Sequence, residues 1–304
     1  MYNPSLKWLF IALLSCASFF TYGADNTKHK PFILASVEQD AMANVKARVT
    51  QKLTQAGFEV VGEYSPYTNA TIIIVTNDTL RQHATQSELG GFGAAQRVTL
   101  TQSNKGIQVG FTNPTYMAHA YRMKSDLAEL KNTLSTALGM QSEYGPKEGL
   151  TGEALRDYHY KWLMPYFTDS IELVDYPDQA SAIKKVESLL SSGTTGVNKI
   201  YRIDLPGKEE TVIGVHMTGK NNDCSGDEYI MSRIDFKELK STGHLPYEIV
   251  ISKGVVYTLP AEFRIAISFP DLSMLGDNSF ASIMCAPNSI STALTEASGG
   301  TVEF

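Results

Sequence analysis

The segment that decides the fold of this chain is Arg97–Phe111, RVTLTQSNKGIQVGF. Apolar and β-branched residues alternate with polar ones on both sides of Ser103-Asn104-Lys105-Gly106, which predicts two antiparallel strands joined by a tight turn. The same pattern returns at Tyr247–Leu259, around the turn Ser252-Lys253-Gly254. Two related hairpins, one in each half, predict a tandem duplication of one domain. The alternative is that glycine turns between strands recur by chance.

A helix that leads into two strands comes before each hairpin. The helix of the first half ends at Gly57, and that of the second half begins at Asp178 and ends at Gly193, as N-cap and C-cap preferences predict. A strand at Phe263–Phe269 and a last helix at 287–297 follow the second hairpin. The predicted fold class is therefore α+β. It consists of two two-layer domains of helices on mostly antiparallel sheets, at residues 32–140 and 171–300.

The composition excludes several classes of protein. The chain has 304 residues, of which 43% are hydrophobic and 19% charged, and its formal net charge is −6. A chain this apolar folds into a packed core. It lacks the basic surplus that nucleic-acid binding requires, so we expect no nucleic-acid partner. Three cysteines are too few for a disulfide-rich scaffold, and the length is that of about two domains.

The first 23 residues have the features of a cleaved export signal. Lys7 precedes an apolar run, and small residues end at Gly23, where cleavage is predicted. The alternative is a lipobox, Leu13-Leu14-Ser15-Cys16, which would leave a lipoprotein anchored through Cys16. Both interpretations place the mature chain in the periplasm or outside the cell. No later apolar run reaches the ~18 residues of a membrane span, so no transmembrane segment is expected there.

An aromatic-rich segment at residues 141–170 connects the two predicted domains. Leu155, Tyr158 and Trp162 recur at helical spacing and predict one apolar stripe on a helix. We interpret the segment as a connecting helix that buries its rings. The alternative is that Tyr158 and Trp162 form a wall on which a ligand stacks.

Two short motifs of the first half resemble a known family. Ala56-Gly57-Phe58-Glu59-Val60 follows the first helix, and Phe111-Thr112-Asn113-Pro114 ends the first hairpin. Together they resemble the DUF302 family over roughly residues 40–140. In that family a helix leads into a Gly-Phe-x-Val strand, and a late strand ends in Asn-Pro. Leu245-Pro246, before the second hairpin, is similar to the family's ending, but the second half has neither the Gly-Phe element nor the Asn-Pro pair.

The resemblance implies a small α+β domain with a helix layer on a mostly antiparallel sheet. Domains of this family pair as dimers, so the chain is expected to form a pseudo-dimer within itself, or a homodimer. The family has no established activity, and the resemblance therefore assigns no catalytic residue. A ligand site is then expected in the cleft between the two domains.

His119 and Met123 are the first candidate site residues. They stand four positions apart in a predicted helix and would share one face, where imidazole and thioether could hold copper or a haem iron. The alternatives are core packing of Met123 and a polar pocket wall made of Tyr116, His119 and Arg122.

The loop Phe269–Phe280 is the second candidate. It follows a predicted strand and mixes polar turn residues with large apolar ones, and loops held by a rigid sheet often carry binding groups. Asp271, Asp277 and Asn278 would be its polar contacts, and Arg264 could pair with one of the acids. The alternative is a loop with a purely structural role.

Removal of the signal leaves two cysteines, Cys224 and Cys285, in an oxidising compartment. A disulfide between them is permitted, and the alternative is two separate thiols. Cys224 also lies in Asn221–Glu228, which resembles a calcium loop. Ser232, however, stands where such a loop needs a bidentate glutamate.

No motif of the sequence combines a nucleophile with a base. The functional hypothesis is a non-catalytic protein that binds a small molecule in an interdomain cleft, or an accessory protein, with no cofactor predicted. One alternative is a periplasmic enzyme whose acid–base groups are His119, Arg122 and the acids of the 271–278 loop. The other is a metal or haem carrier.

Overall fold

The computed structural model describes residues 26–302, and these residues form the mixed α+β fold that the sequence predicts. The predicted signal at residues 1–23, with Cys16, lies outside them. The first half is built on a six-stranded antiparallel sheet. Its elements are β1 (Lys28–His29), β2 (Phe32–Glu38), α1 (Met42–Gln55), β3 (Glu59–Tyr64), β4 (Ala70–Thr76), α2 (Asp78–Thr85), β5 (Gln96–Ser103), β6 (Gly106–Thr112), α3 (Pro114–Ala120), α4 (Ala128–Leu138), β7 (Ser142–Tyr144), β8 (Leu150–Thr151) and α5 (Gly152–Arg156).

The second half is built on a five-stranded antiparallel sheet. Both predicted hairpins are confirmed, as is the helix that Asp178 caps through its bond from the Ser181 amide. Within residues 26–302, no helix combines the length and the apolarity that crossing a membrane requires. The elements are β9 (Ile171–Asp175), α6 (Gln179–Ser192), β10 (Val197–Asp204), β11 (Glu210–Met217), α7 (Asp227–Ile234), β12 (Tyr247–Ser252), β13 (Val255–Thr258), α8 (Ala261–Ser268) and α9 (Ala286–Ser298).

The two sheets have the same strand order. It is β3-β4-β5-β6-β2 in the first sheet, with β7 added at the edge, and β10-β11-β12-β13-β9 in the second. In each half the chain runs through a strand, a helix of 14 residues and two strands, and then through a connection, a hairpin and two helices. The halves therefore share one strand order and one order of elements, and the duplication itself stays a prediction.

β-Bulges lie at matching positions in the two halves. Strands β2 and β9 each pair with the second strand of their hairpin and contain one bulge. Ala35 of β2 has no partner in β6, and Leu173 of β9 has no partner in β13. The strand after the 14-residue helix also contains a bulge in each half. Val61 of β3 has no partner in β4, and Ile200 of β10 has no partner in β11. Bulges tend to be retained as designed features of a fold. Their matching positions therefore give a residue-by-residue equivalence between the halves.

This equivalence makes Arg97 of β5 the counterpart of Glu248 of β12. The bulges in β2 and β9 and those in β3 and β10 give the same result. These two residues also form a salt bridge with each other, and their side chains are 3% and 2% exposed. Nη2 of the buried Arg264 lies 3.4 Å from Oε2 of the same Glu248. Equivalent residues that contact each other indicate an approximate two-fold arrangement of the halves.

The two faces of strand β5 contact different parts of the molecule. Alternate residues of a strand point to opposite faces. Val98 and Leu100 belong to the buried apolar cluster, on the side of helices α1 and α4. Arg97 and Thr101 point towards the second half, where the Thr101 hydroxyl lies 2.8 Å from that of Thr242. The inner faces of the two sheets therefore meet, and helices lie outside.

Each half also reaches over the sheet of the other. The 3-10 turn Gly90–Gly93 contacts β11 and β12, and the turn Thr242–His244 contacts β4, β5 and β6. Buried apolar residues of both halves form one continuous cluster. The centre of the junction is therefore packed, and open space between the halves lies at its surface.

The predicted strand Phe263–Phe269 is wrong, because the segment forms helix α8 (Ala261–Ser268). Phe263, Ile265 and Ile267 are almost fully buried, and so are the residues between them. Large apolar residues alternate here with polar or small ones, which imitates the two-residue period of a strand, although both sets are buried. Pro260, which precedes the first turn, is the signal for a helix start.

The prediction that the aromatic-rich segment forms a connecting helix is also wrong. Helix α5 ends at Arg156, and the chain from Tyr158 to Phe167 has no regular structure. Tyr158 donates a hydrogen bond to the Ala266 carbonyl at 3.2 Å, while the Trp162 side chain is 84% exposed. The Phe167 ring also packs on that of Phe263 at 6.0 Å, so contacts with the second half, rather than a helix, hold this segment.

Replacing the central carboxylate tests the role of the buried ion pair. Glu248→Gln would leave Arg97 and Arg264 buried with no negative partner, so we expect the free energy of unfolding to fall by about 3–5 kcal/mol. Urea denaturation measures the change. The matched control is Glu63→Gln, which breaks an exposed pair with Lys46 and should cost less than about 1 kcal/mol. Equal losses in the two variants would contradict a central role for Glu248.

Candidate functional site

Residues of both halves line a groove of about 380 Å³ at their junction. One wall is a face of α7, where Glu228, Met231 and Ser232 recur at helical spacing. The opposite wall is the β3–β4 turn and the end of β5. We call it the junction groove. It is lined by Tyr67, Thr68, Asn69, Thr101, Gln102, Glu228, Met231, Ser232, Asp235, Phe236 and Lys240.

The start of α7 is anchored to the first half. Its first residue, Asp227, is fully buried, and Tyr64 of β3 donates a hydrogen bond to its Oδ2 at 3.3 Å. Burial raises the pKa of this carboxyl well above its ordinary value. Just before the helix, Cys224 forms a disulfide with Cys285, which precedes α9. The groove wall is therefore fixed by a cross-link and by a bond between the halves.

The end of α7 presents a buried acid, Asp235, to the groove. Its carboxylate is 9% exposed, and both oxygens lie 3.0 Å from the Ser241 amide that donates to them. Burial raises the pKa of Asp235 to about 7, although the Ser241 bond and the charges of Lys240 and Lys237 oppose the rise. This carboxyl can therefore donate or accept a hydrogen bond near neutral pH.

Beside Asp235, the side chain of Phe236 is 54% exposed. An exposed aromatic ring costs hydration free energy unless something covers it. Lys240 also lines the groove, but its ammonium donates to the Asp235 carbonyl at 2.8 Å. The groove thus combines an uncovered apolar surface with a carboxyl that changes charge near neutral pH.

Three hydroxyls join the halves next to the groove. The Tyr67 hydroxyl lies 2.8 Å from Oγ1 of Thr242, which lies 2.8 Å from Oγ1 of Thr101. Thr242 is completely buried, and burial raises the pKa of Tyr67. These groups remain neutral and satisfy one another, so they support the groove wall structurally.

The equivalent junction on the other side of the two-fold arrangement is closed. There Lys208, in the β10–β11 turn, donates to the Ser87 carbonyl at 2.6 Å and lies 2.7 Å from the Glu210 carboxylate. Glu210 also accepts a bond from the Gly91 amide at 2.7 Å. The two junctions therefore differ, because one is filled by a salt bridge and the other is open.

The helix that was predicted to align His119 with Met123 ends at Ala120, and Arg122 follows with φ +49°. The prediction that His119 and Met123 lie on one face of a helix is therefore wrong. Met123 is fully buried, while the His119 ring stacks on that of His29 at 6.0 Å. Within residues 26–302, no cluster of three histidine, cysteine or acidic side chains suited to a metal ion is found.

The other predicted pocket residues of this region make structural contacts. Tyr116 is buried and donates to the Ile267 carbonyl at 2.9 Å. Arg122 donates to the Arg156 carbonyl at 2.5 Å, and its guanidinium lies 3.5 Å from Asp157. No residue of this group lines the junction groove.

The second set of predicted residues is dispersed. Arg264 is buried at the centre of the molecule, where it donates to the His244 and Pro246 carbonyls at 2.7 and 3.0 Å. Asp277 and Asn278 are exposed on the 269–280 loop. Asp271 comes nearest to the groove, because it pairs with Lys237 at 2.7 Å and lines a small cavity together with Asp235.

Sequence reasoning missed the groove because it predicted no helix between Glu228 and the second hairpin, where most of α7 lies. One local signal was present, since Asp227 and Glu228 are acids in the first turn of a helix. Tyr67 and Gln102, on the opposite wall, are distant in sequence and carried no signal. Neither a protein-family model nor a curated protein matches the chain, so the DUF302 resemblance stays a prediction.

Asp235→Asn tests the buried acid through the pH dependence of stability. The pKa of Asp235 is about 7 in the folded chain against an ordinary value of 3.8, so the folded state holds a proton that the unfolded state has lost. Asp235 therefore stabilises the fold fully below pH ~4, and this contribution is lost as the pH rises through 7. Between pH 5 and 8 the loss is roughly 2 kcal/mol.

We expect Asp235→Asn to remove that component, so that its free energy of unfolding falls less between pH 5 and 8 than that of the unmodified chain. Chemical denaturation at several pH values measures it. Asp277→Asn, in an exposed loop, is the control and should keep the original pH dependence. Identical pH profiles for all three chains would show that Asp235 titrates normally.

Proposed function

We propose that this chain is a binding protein that holds a small organic molecule in the junction groove without changing it chemically. The observation that carries the proposal is the pairing of an uncovered Phe236 ring with the buried Asp235 carboxyl in one groove between the halves. Binding sites are typically apolar concavities that contain a few polar groups. The export signal predicted from the sequence would place this activity outside the cytoplasm.

The lining suggests the chemistry of the ligand. The Phe236 ring and the Met231 side chain offer an apolar surface for a flat ring. Glu228 and Asp235 offer carboxyl groups, and the charge of Lys240 is engaged by a backbone carbonyl. A cyclic or aromatic molecule that carries an amine or a hydroxyl group would therefore fit better than an anion.

The hydroxyls near the groove support binding over covalent catalysis. Activation of a hydroxyl nucleophile requires a base within hydrogen-bond reach. The Tyr67 and Thr101 hydroxyls bond to Thr242, and the Asp235 carboxylate bonds to a backbone amide. Among the described residues that line the groove, no hydroxyl bonds to a carboxylate or an imidazole, and the Tyr64–Asp227 bond lies outside the lining.

A second candidate function, an acid–base enzyme, is favoured by one observation. An acid whose pKa lies near the working pH is suited to general catalysis, and the pKa of Asp235 is about 7. This candidate uses a different acid from the earlier hypothesis of His119, Arg122 and the 271–278 loop. It predicts turnover of the bound molecule that Asp235→Asn abolishes, whereas the binding function predicts recovery of the molecule unchanged.

A fragment screen with matched variants tests the proposal. We expect aromatic amines to bind the unmodified chain and Phe236→Ala to weaken their binding by roughly tenfold, the loss expected for one ring contact. Isothermal titration calorimetry measures the affinities. Because Phe236 is exposed, its replacement should leave the melting temperature nearly unchanged.

The control variant is Trp162→Ala, which removes an even more exposed ring outside the groove. It should bind the same fragments with unchanged affinity. If no amine binds, or if the two variants weaken binding equally, the groove is not the site.

A further inference from the structure

The outer edge of the first sheet is closed by strand β7. This strand pairs antiparallel with β2, and Leu34 stands opposite Ser142 while Phe32 stands opposite Tyr144. The Gln141 amide adds a bond to the Leu34 carbonyl at 2.7 Å. Tyr144 is 6% exposed and its ring packs on that of Phe32 at 5.5 Å. Strand β7 thus satisfies the backbone groups of β2 that would otherwise face solvent.

The equivalent edge of the second sheet belongs to β9. This strand is the last in its sheet, and the strands of residues 26–302 place no partner on its outer side. The bulges match Ala35 with Leu173, and so Leu34 with Glu172. Five residues of β9 therefore present a backbone edge whose counterpart in the first half is paired.

The sequence after the last helix resembles the sequence that forms β7. Helix α4 is followed by Gly139 with φ +101°, and α9 is followed by Gly299 with φ +89°. Three residues after Gly139 the chain reads Ser142-Glu143-Tyr144. Three residues after Gly299 it reads Val302-Glu303-Phe304. Both triplets place a glutamate before an aromatic residue, and valine favours a strand more than serine does.

The described part of this segment already runs beside β9. A Cβ atom on Gly300 would lie 2.5 Å from the Leu173 carbonyl oxygen, whereas one on Gly139 would lie 3.1 Å from that of Ala35. These two oxygens are equivalent by the bulge register, so the chain after α9 approaches β9 one residue later than the chain after α4 approaches β2. Thr301 and Val302 line one cavity together with Glu172 and Leu173. The chain therefore leaves α9 towards the free edge of β9, as it leaves α4 towards β2.

We propose that the outer edge of β9 is a strand-docking surface whose occupant is this chain's own segment Thr301–Phe304. Docking satisfies the outer amides and carbonyls of β9 and removes an edge that could pair with another molecule. Residues 303 and 304 lie outside the described part of the chain.

Hydrogen exchange of the β9 amides tests the proposal. The unmodified chain is compared with a chain that stops after Gly300, and exchange is followed by NMR or mass spectrometry over Ile171–Leu173. We expect these amides to exchange at least tenfold faster in the shortened chain, because they lose their strand partner. The amides of β2, which β7 covers, are the internal control and should exchange equally in both chains.

A second pair of variants keeps the test valid if the shortened chain fails to fold. Glu303→Pro removes a backbone donor and should speed exchange of the β9 amides, whereas Glu303→Ala keeps the backbone and should not. Equal β9 exchange in all these chains overturns the proposal. Protection that increases with protein concentration and accompanies dimer formation also overturns it, because the occupant would then be a second copy.

Discussion

The buried ion pair between Arg97 and Glu248 is the interaction on which the rest of the structure depends. A charge removed from water is stable only when an opposite charge and hydrogen bonds replace its hydration. Because each residue lies on an inner strand of its own sheet, the requirement for a partner fixes how the two sheets face each other. A sliding displacement between the halves would leave both charges buried and unpaired.

The junction groove follows from this constraint. Glu248 lies in β12, and the chain just before β12 contains the turn Thr242–His244 and, further upstream, helix α7. Once the pair holds β12, Thr242 reaches the Tyr67 and Thr101 hydroxyls of the first half. Helix α7 is then held against the β3–β4 turn, and the space between them is the groove.

The two halves are equivalent in path but differ in detail, and the differences lie at their surfaces. Lys208 fills one junction, whereas the other is open beside Phe236. One sheet carries the edge strand β7, whereas the described residues of the other stop beside β9. A repeated fold supplies two copies of each surface, and a few side chains decide which copy is closed.

The sequence by itself determined the local elements whose signals are short in range. Alternation and glycine turns located both hairpins, and Asp178 marked the start of α6 through a cap that bonds only three residues away. It failed at α8, because large apolar residues alternate there with polar or small ones as in a strand, although both sets are buried in a helix. Only the tertiary structure decided that Arg97 pairs with Glu248, and that Asp235 lies under the same groove as Tyr67. Those contacts join residues far apart in the chain, and the pKa of Asp235 depends on desolvation that no neighbour in sequence reports.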